Sequence, residues 1–88
     1  PSTAVAGVKY PPKPKGKNTC ACACQVGSKG TQGVARGQEW GPKLKQQECK
    51  QVYKGACRMA KQNLGQADIH HQSGKCIDGG GRRYIYKG

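Results

Sequence analysis

Acidic residues are scarce in this sequence: Glu39, Glu48, Asp68 and Asp78 stand against sixteen lysines and arginines, a net charge of +12 over 88 residues. Paired carboxylates are absent, as are a G-x-S-x-G elbow, a Walker loop and an H-E-x-x-H helix. Gly79-Gly80-Gly81 is too short for a phosphate loop and reads as turn chemistry. The signatures of serine hydrolases, P-loop enzymes and zinc proteases are therefore missing. Phenylalanine is absent too, with a single Trp and a single Met, and hydrophobic residues make up 34% of the chain against the usual ~45–50%. So thin a core needs cross-links. No apolar run approaches the ~18 residues that suggest a membrane span, and no signal-peptide core is present. The first residue is Pro1, as expected of a chain that is processed or cut from a longer one.

Cysteine supplies what the core lacks. Three are packed as Cys20-Ala21-Cys22-Ala23-Cys24, and Cys49, Cys57 and Cys76 follow at wide spacing. In an extended strand, alternate residues share a face, so the clustered sulfurs project together. Bridges within the cluster would close tiny rings against disulfide geometry, so each clustered cysteine is expected to pair with a distal one. The rival ligand is zinc, but C-x-C-x-C without a second knuckle is not the spacing of a tetrahedral site. Disulfides imply oxidising surroundings, and a secreted protein is expected.

Residues 1–18 read as an extended Pro/Lys-rich linker, because Lys9-Tyr10-Pro11-Pro12-Lys13-Pro14 favours polyproline II and its lysines repel one another. Residues 19–88 read as one compact disulfide-rich basic domain. A strand is expected from Thr19 to Val26, a turn at 27–30 and a weak second strand at 31–36. Pro42 opens a helix that runs from Lys43 to Leu64, with Gly65 as its stop. Cys49, Val52, Tyr53, Ala56, Cys57, Met59, Ala60 and Leu64 form its apolar stripe. Lys43, Lys50, Lys54, Arg58 and Lys61 form its wet face. Asp78-Gly79 then marks a hairpin between a strand near Cys76 and another at 82–87. The fold class expected is α+β: a small disulfide-stapled domain with one amphipathic helix packed on a short antiparallel sheet.

Geometry narrows the pairing. Cys49 and Cys57 lie about 12 Å apart along a helix, and Cys20 and Cys24 about 13 Å apart along a strand. The outer pair, Cys20 and Cys24, is therefore expected to take Cys49 and Cys57, in an order set by helix direction. Cys22 is left for Cys76.

A field of this sign attracts polyanions such as nucleic acid, anionic lipid or acidic cell-wall polymer. Tyrosines interleaved with Lys and Arg suit base stacking with phosphate neutralisation. His70-His71 is the candidate acid–base pair, since imidazole titrates near neutrality. One of the two would act, with Glu39 or the other histidine as partner. Arg82, Arg83 and Lys75 would hold phosphate, and Tyr84 or Tyr86 would offer a hydroxyl or a stacking face. No metal and no cofactor is needed for such chemistry.

A Pro/Lys segment (Lys9 to Asn18) ahead of a compact basic domain with a late His cluster resembles the C-terminal toxin modules of bacterial polymorphic toxins. These are clipped from secreted carriers and often act as nucleases. With the histidine chemistry, the expectation is a secreted, metal-independent ribonuclease that acts on RNA as a monomer, and a cognate immunity protein would be its partner. Six cysteines depart from the usual cytosol-acting member. The competing expectation is a non-enzymatic cationic disulfide-rich antimicrobial protein that binds anionic surfaces through the helical lysines.

Overall fold

The Cys-Ala alternation builds the middle of the fold. In a computed structural model, which describes residues 8–27, 31–37, 46–64 and 72–88, this segment is β1 (Cys20–Val26). It is an inner strand of an antiparallel sheet ordered β2-β1-β3-β4, with β2 Thr31–Arg36, β3 Gln72–Asp78 and β4 Arg83–Lys87. The helix, α1 (Gln46–Leu64), packs chiefly on β1 and β2. The domain is thus α+β, one helix on a four-stranded antiparallel sheet, closed by three disulfides.

The sulfurs of Cys20, Cys22 and Cys24 face the helix side. Cys20 bonds to Cys49, Cys24 to Cys57, and Cys22 to Cys76. The first two bridges staple sheet to helix at both ends of the cysteine cluster. The third joins neighbouring strands, where Cys22 and Cys76 stand directly opposite. Asp78 donates its amide to the Arg82 carbonyl at 2.9 Å. By the alternation of an antiparallel ladder, Cys76 therefore turns its peptide groups toward β4. Toward β1 it forms a non-hydrogen-bonded pair, the closer kind, and the Cα–Cα distance is 4.1 Å.

Small residues let the helix settle. Ala35 and Gly33 line β2 beneath it, and a Cβ on Gly33 would collide with the Ala56 carbonyl and lie 2.5 Å from the Ala60 nitrogen. Cys49, Val52, Tyr53, Ala56, Cys57 and Ala60 are buried as the stripe requires. Met59 is not: 47% of it remains exposed, because β2 is an edge strand and a helix laid over β1 and β2 carries Met59 past the margin. The expected helix start at Pro42-Lys43 lies outside the described residues. Gly55 has room, since an added Cβ would meet only Arg58 Nη2 at 3.6 Å and Ala35 Cβ at 3.9 Å. Gly55→Ala should raise stability by about 1 kcal/mol through helix propensity, read as a rise in melting temperature of roughly 4–8 °C.

The opposite face of the sheet is not bare. Ala21 and Ala23 point there and are 0% and 3% exposed. Residues 8–18 carry no helix or strand, yet Val8, Pro11 and Pro14 are buried while Lys9, Lys13, Lys15 and Lys17 are exposed. This segment reaches the same face at Tyr10, whose ring lies against Lys75 and Arg83. It runs on to the β3–β4 turn, where the Gly79 amide donates to the Thr19 carbonyl and Lys13 Nζ to the Gly79 carbonyl. A Cβ on Gly79 would strike the Gly16 carbonyl.

Candidate polyanion-binding face

The β3–β4 turn is held by one of the four acids. Asp78 Oδ1 accepts the Gly80 and Arg82 amides at 3.0 and 2.9 Å, and Oδ2 accepts the Tyr84 hydroxyl at 3.0 Å. Gly81 takes a positive φ of 89°, the left-handed backbone that glycine adopts without strain. The turn is therefore fixed, and Arg82 and Arg83 leave it in set directions.

Those directions differ. The Arg82 guanidinium carbon lies 5.5 Å from the Tyr84 ring centre, on the helix side of the sheet. Arg83 lies on the other side, its guanidinium carbon 4.6 Å from the Tyr10 ring centre, with Lys75 Nζ at 5.3 Å from the same ring. Two cations thus share one tyrosine, each within the ~6 Å reach of a cation–π contact. Exposed Lys13 and Lys87 extend the positive field along the hairpin. Asp78 is buried and committed to the turn.

Tyr84 is half-buried, with its hydroxyl tied to Asp78. Tyr86 is a core residue, 9% exposed, stacked on Tyr53 at 5.0 Å, and its hydroxyl donates to the Gln46 carbonyl at 3.3 Å. Burial is the main cause that raises all three phenols above their usual range. The Asp78 hydrogen bond and charge add to it at Tyr84, against Arg82, while the nearby Gln72 side chain opposes it at Tyr53. The folded chain holds these protons more tightly than the unfolded one. Their contribution to stability is complete below the unfolded phenol value of about 10 and drains away above it. An ultraviolet phenolate titration of the native chain should show these three tyrosines ionising above that pH, with melting temperature falling in the same window.

His70, His71 and Glu39 lie outside the described residues. His71 precedes Gln72, the first residue of β3, and this fixes which cations stand near that end of the hairpin. Lys87 is opposite Ser73, one residue from Gln72, and Lys75 is three residues away. Arg83 is opposite Ile77, five residues along β3, or roughly 17 Å from Gln72. Sequence reasoning missed Lys87 and Lys13; it counted Tyr10 among the tyrosines interleaved with cations, but not its place against Lys75 and Arg83. Lys87 alternates with Arg83 and Ile85, a signal that is readable once the strand is assigned, but its partner across β3 depends on register. The sulfurs of Cys20, Cys22 and Cys76 lie within 4.8 Å of one another. Each is spent in a disulfide, so none is a thiolate able to bind a metal. No helix of the described residues is long and apolar enough to cross a membrane. The chain matches no protein-family model, no curated protein and no solved structure.

Proposed function

We propose that this chain is a secreted toxin-type ribonuclease domain whose β3–β4 hairpin grips the RNA backbone. One observation carries the reading: Tyr10 lies against Lys75 and Arg83 on one side of the hairpin, and Arg82 lies against Tyr84 on the other, so cations alternate with aromatic rings around the hairpin. Phosphates neutralise such cations, and unpaired bases stack on such rings. The three disulfides are compatible with an extracellular life.

In this reading His70 or His71 serves as base or acid for the 2′-hydroxyl and the leaving oxygen, with Glu39 or the second histidine as its complement. Lys87 and Lys75 serve the phosphate nearest the histidines. Arg83 and Arg82, farther along the hairpin, hold phosphates of neighbouring nucleotides. The 2′-oxygen bonds to phosphorus as the base takes its proton, the bond to the 5′-oxygen breaks as the acid protonates that leaving group, and neither metal nor cofactor enters these steps.

The test is cleavage of labelled RNA in EDTA by the oxidised chain and by a folded His70→Ala/His71→Ala variant. The variant should lose more than about a hundredfold in rate, the size of general acid–base contributions. Retained cleavage in the variant would sink the assignment. A second reading, binding to anionic surfaces without catalysis, rests on exposed Lys50, Lys54 and Arg58 along the outer face of α1. It requires that killing or vesicle leakage survive loss of both histidines and fall on charge reversal of those three residues.

A further inference from the structure

β4 is a terminal strand of the described sheet, paired only to β3. Its residues divide by hydrogen bonding. The Asp78 amide bonds to the Arg82 carbonyl at 2.9 Å, and at the other end the Gly88 amide bonds to the Gln72 carbonyl at 2.7 Å. The antiparallel alternation between these ends turns the peptide groups of Tyr84 and Tyr86 toward β3. Those of Arg83, Ile85 and Lys87 point outward. Such a row is a template for one more strand.

Side chains along this row select what pairs with it. Ile85 is 55% exposed and sits between the exposed cations Arg83 and Lys87 on the same side of the sheet. A shallow groove of about 400 Å³ adjoins it, lined by Gln46, Gln47, Lys50, Ile85 and Tyr86. Two copies of this edge would bring like charges together, so the arrangement rejects self-pairing. An acidic strand meets the opposite condition at every position. Its main chain bonds to Arg83, Ile85 and Lys87, and its carboxylates face Arg83 and Lys87. Its alternate apolar side chains lie on the helix face, against Tyr86 and the stem of Lys50.

We propose that the open edge of β4 is a docking site for an acidic extended segment of another protein, bound by strand addition. The inference stands apart from RNA cleavage and does not depend on the histidines. Strand addition draws affinity from main-chain bonds and specificity from alternate side chains, which separates it from simple charge attraction.

The experiment uses the full oxidised chain and the heptapeptide Glu-Val-Glu-Ile-Glu-Val-Glu. A second peptide has the same sequence and charge but is N-methylated on the amides that would face β4. The parent peptide should slow hydrogen exchange at the Arg83, Ile85 and Lys87 amides about tenfold, and the N-methylated one should bind about tenfold more weakly. Ile85→Pro removes only an outward N–H, a substitution that edge strands tolerate. It should lower affinity by a similar factor, and Ile85→Glu, which keeps the backbone donor but opposes the peptide's charge, should lower it too. Equal binding of the two peptides, protection confined to α1, or no binding at all would each overturn the proposal.

Discussion

Full reduction of the three disulfides should unfold this chain at room temperature. The bridges span 29, 54 and 33 residues of sequence. On the chain-entropy model, each loop of that length restricts the unfolded state by roughly 3.5–4 kcal/mol, and loss of a native bridge from a small domain typically costs 2–5 kcal/mol. A domain of this size has about 5–15 kcal/mol in all, so losing three bridges exhausts it. Packing cannot compensate. Among the residues with fully buried side chains are the six cysteines, alongside Tyr53, Val8 and Val26, so the staples are also much of the core. Removing Cys22 and Cys76 alone, as a double alanine variant, deletes the longest bridge and should lower stability by about 4 kcal/mol. Circular dichroism and amide exchange with and without reductant read both results. A reduced chain that keeps protected amides in β1 would show that the sheet holds without its staples.

The elements that depend on local pattern were legible in the sequence. Alternating Cys-Ala gave β1 and the face of its sulfurs, and the amphipathic stripe gave α1 through Leu64. Matching two rises, one along a strand and one along a helix, led to Cys22–Cys76 and to Cys20 and Cys24 taking Cys49 and Cys57; the helix direction then sets the order, Cys20–Cys49 and Cys24–Cys57. What depends on distant partners was not legible. Nothing local to Val8, Pro11 or Pro14 says that a sheet face awaits them, since a proline-rich segment has the same dihedrals in water and against a surface. The Tyr10 cluster follows from that packing and was hidden with it. The sequence offers Tyr86, like Tyr84, as a hydroxyl or stacking face, and its burial depends on a distant partner. Only the β3–β4 register, which sets Tyr86 opposite Gly74 and over Tyr53, turns it inward. Strand register likewise decides that Lys87 stands near Gln72 and Arg83 does not.

Gly74→Ala should be strongly destabilising for the addition of one methyl group. Gly74 lies in β3, opposite Cys24 on one side and Tyr86 on the other. A Cβ there would strike the Ala23 carbonyl and come within 2.8 and 2.9 Å of two Tyr53 ring carbons. Neither neighbour can give way. The Ala23 carbonyl belongs to an inner strand paired on both edges. The Tyr53 ring is fully buried, stacked on Tyr86, and its helix is bolted to β1 by bridges at Cys49 and Cys57. Overpacking typically costs about 1–3 kcal/mol, and a backbone collision adds to a side-chain one. A loss of about 3 kcal/mol follows, or more than about 10 °C in melting temperature for a domain of this length. Trimming the ring with Tyr53→Ala removes one of the two obstacles, so the double variant should fall short of the summed single losses. The contrast with Gly55→Ala makes the test sharp, because the same added methyl group should stabilise α1 and destabilise β3. Equal effects at the two glycines would mean that β3 is not seated on Tyr53, and the hairpin that carries Lys75, Arg82 and Arg83 would lose its support.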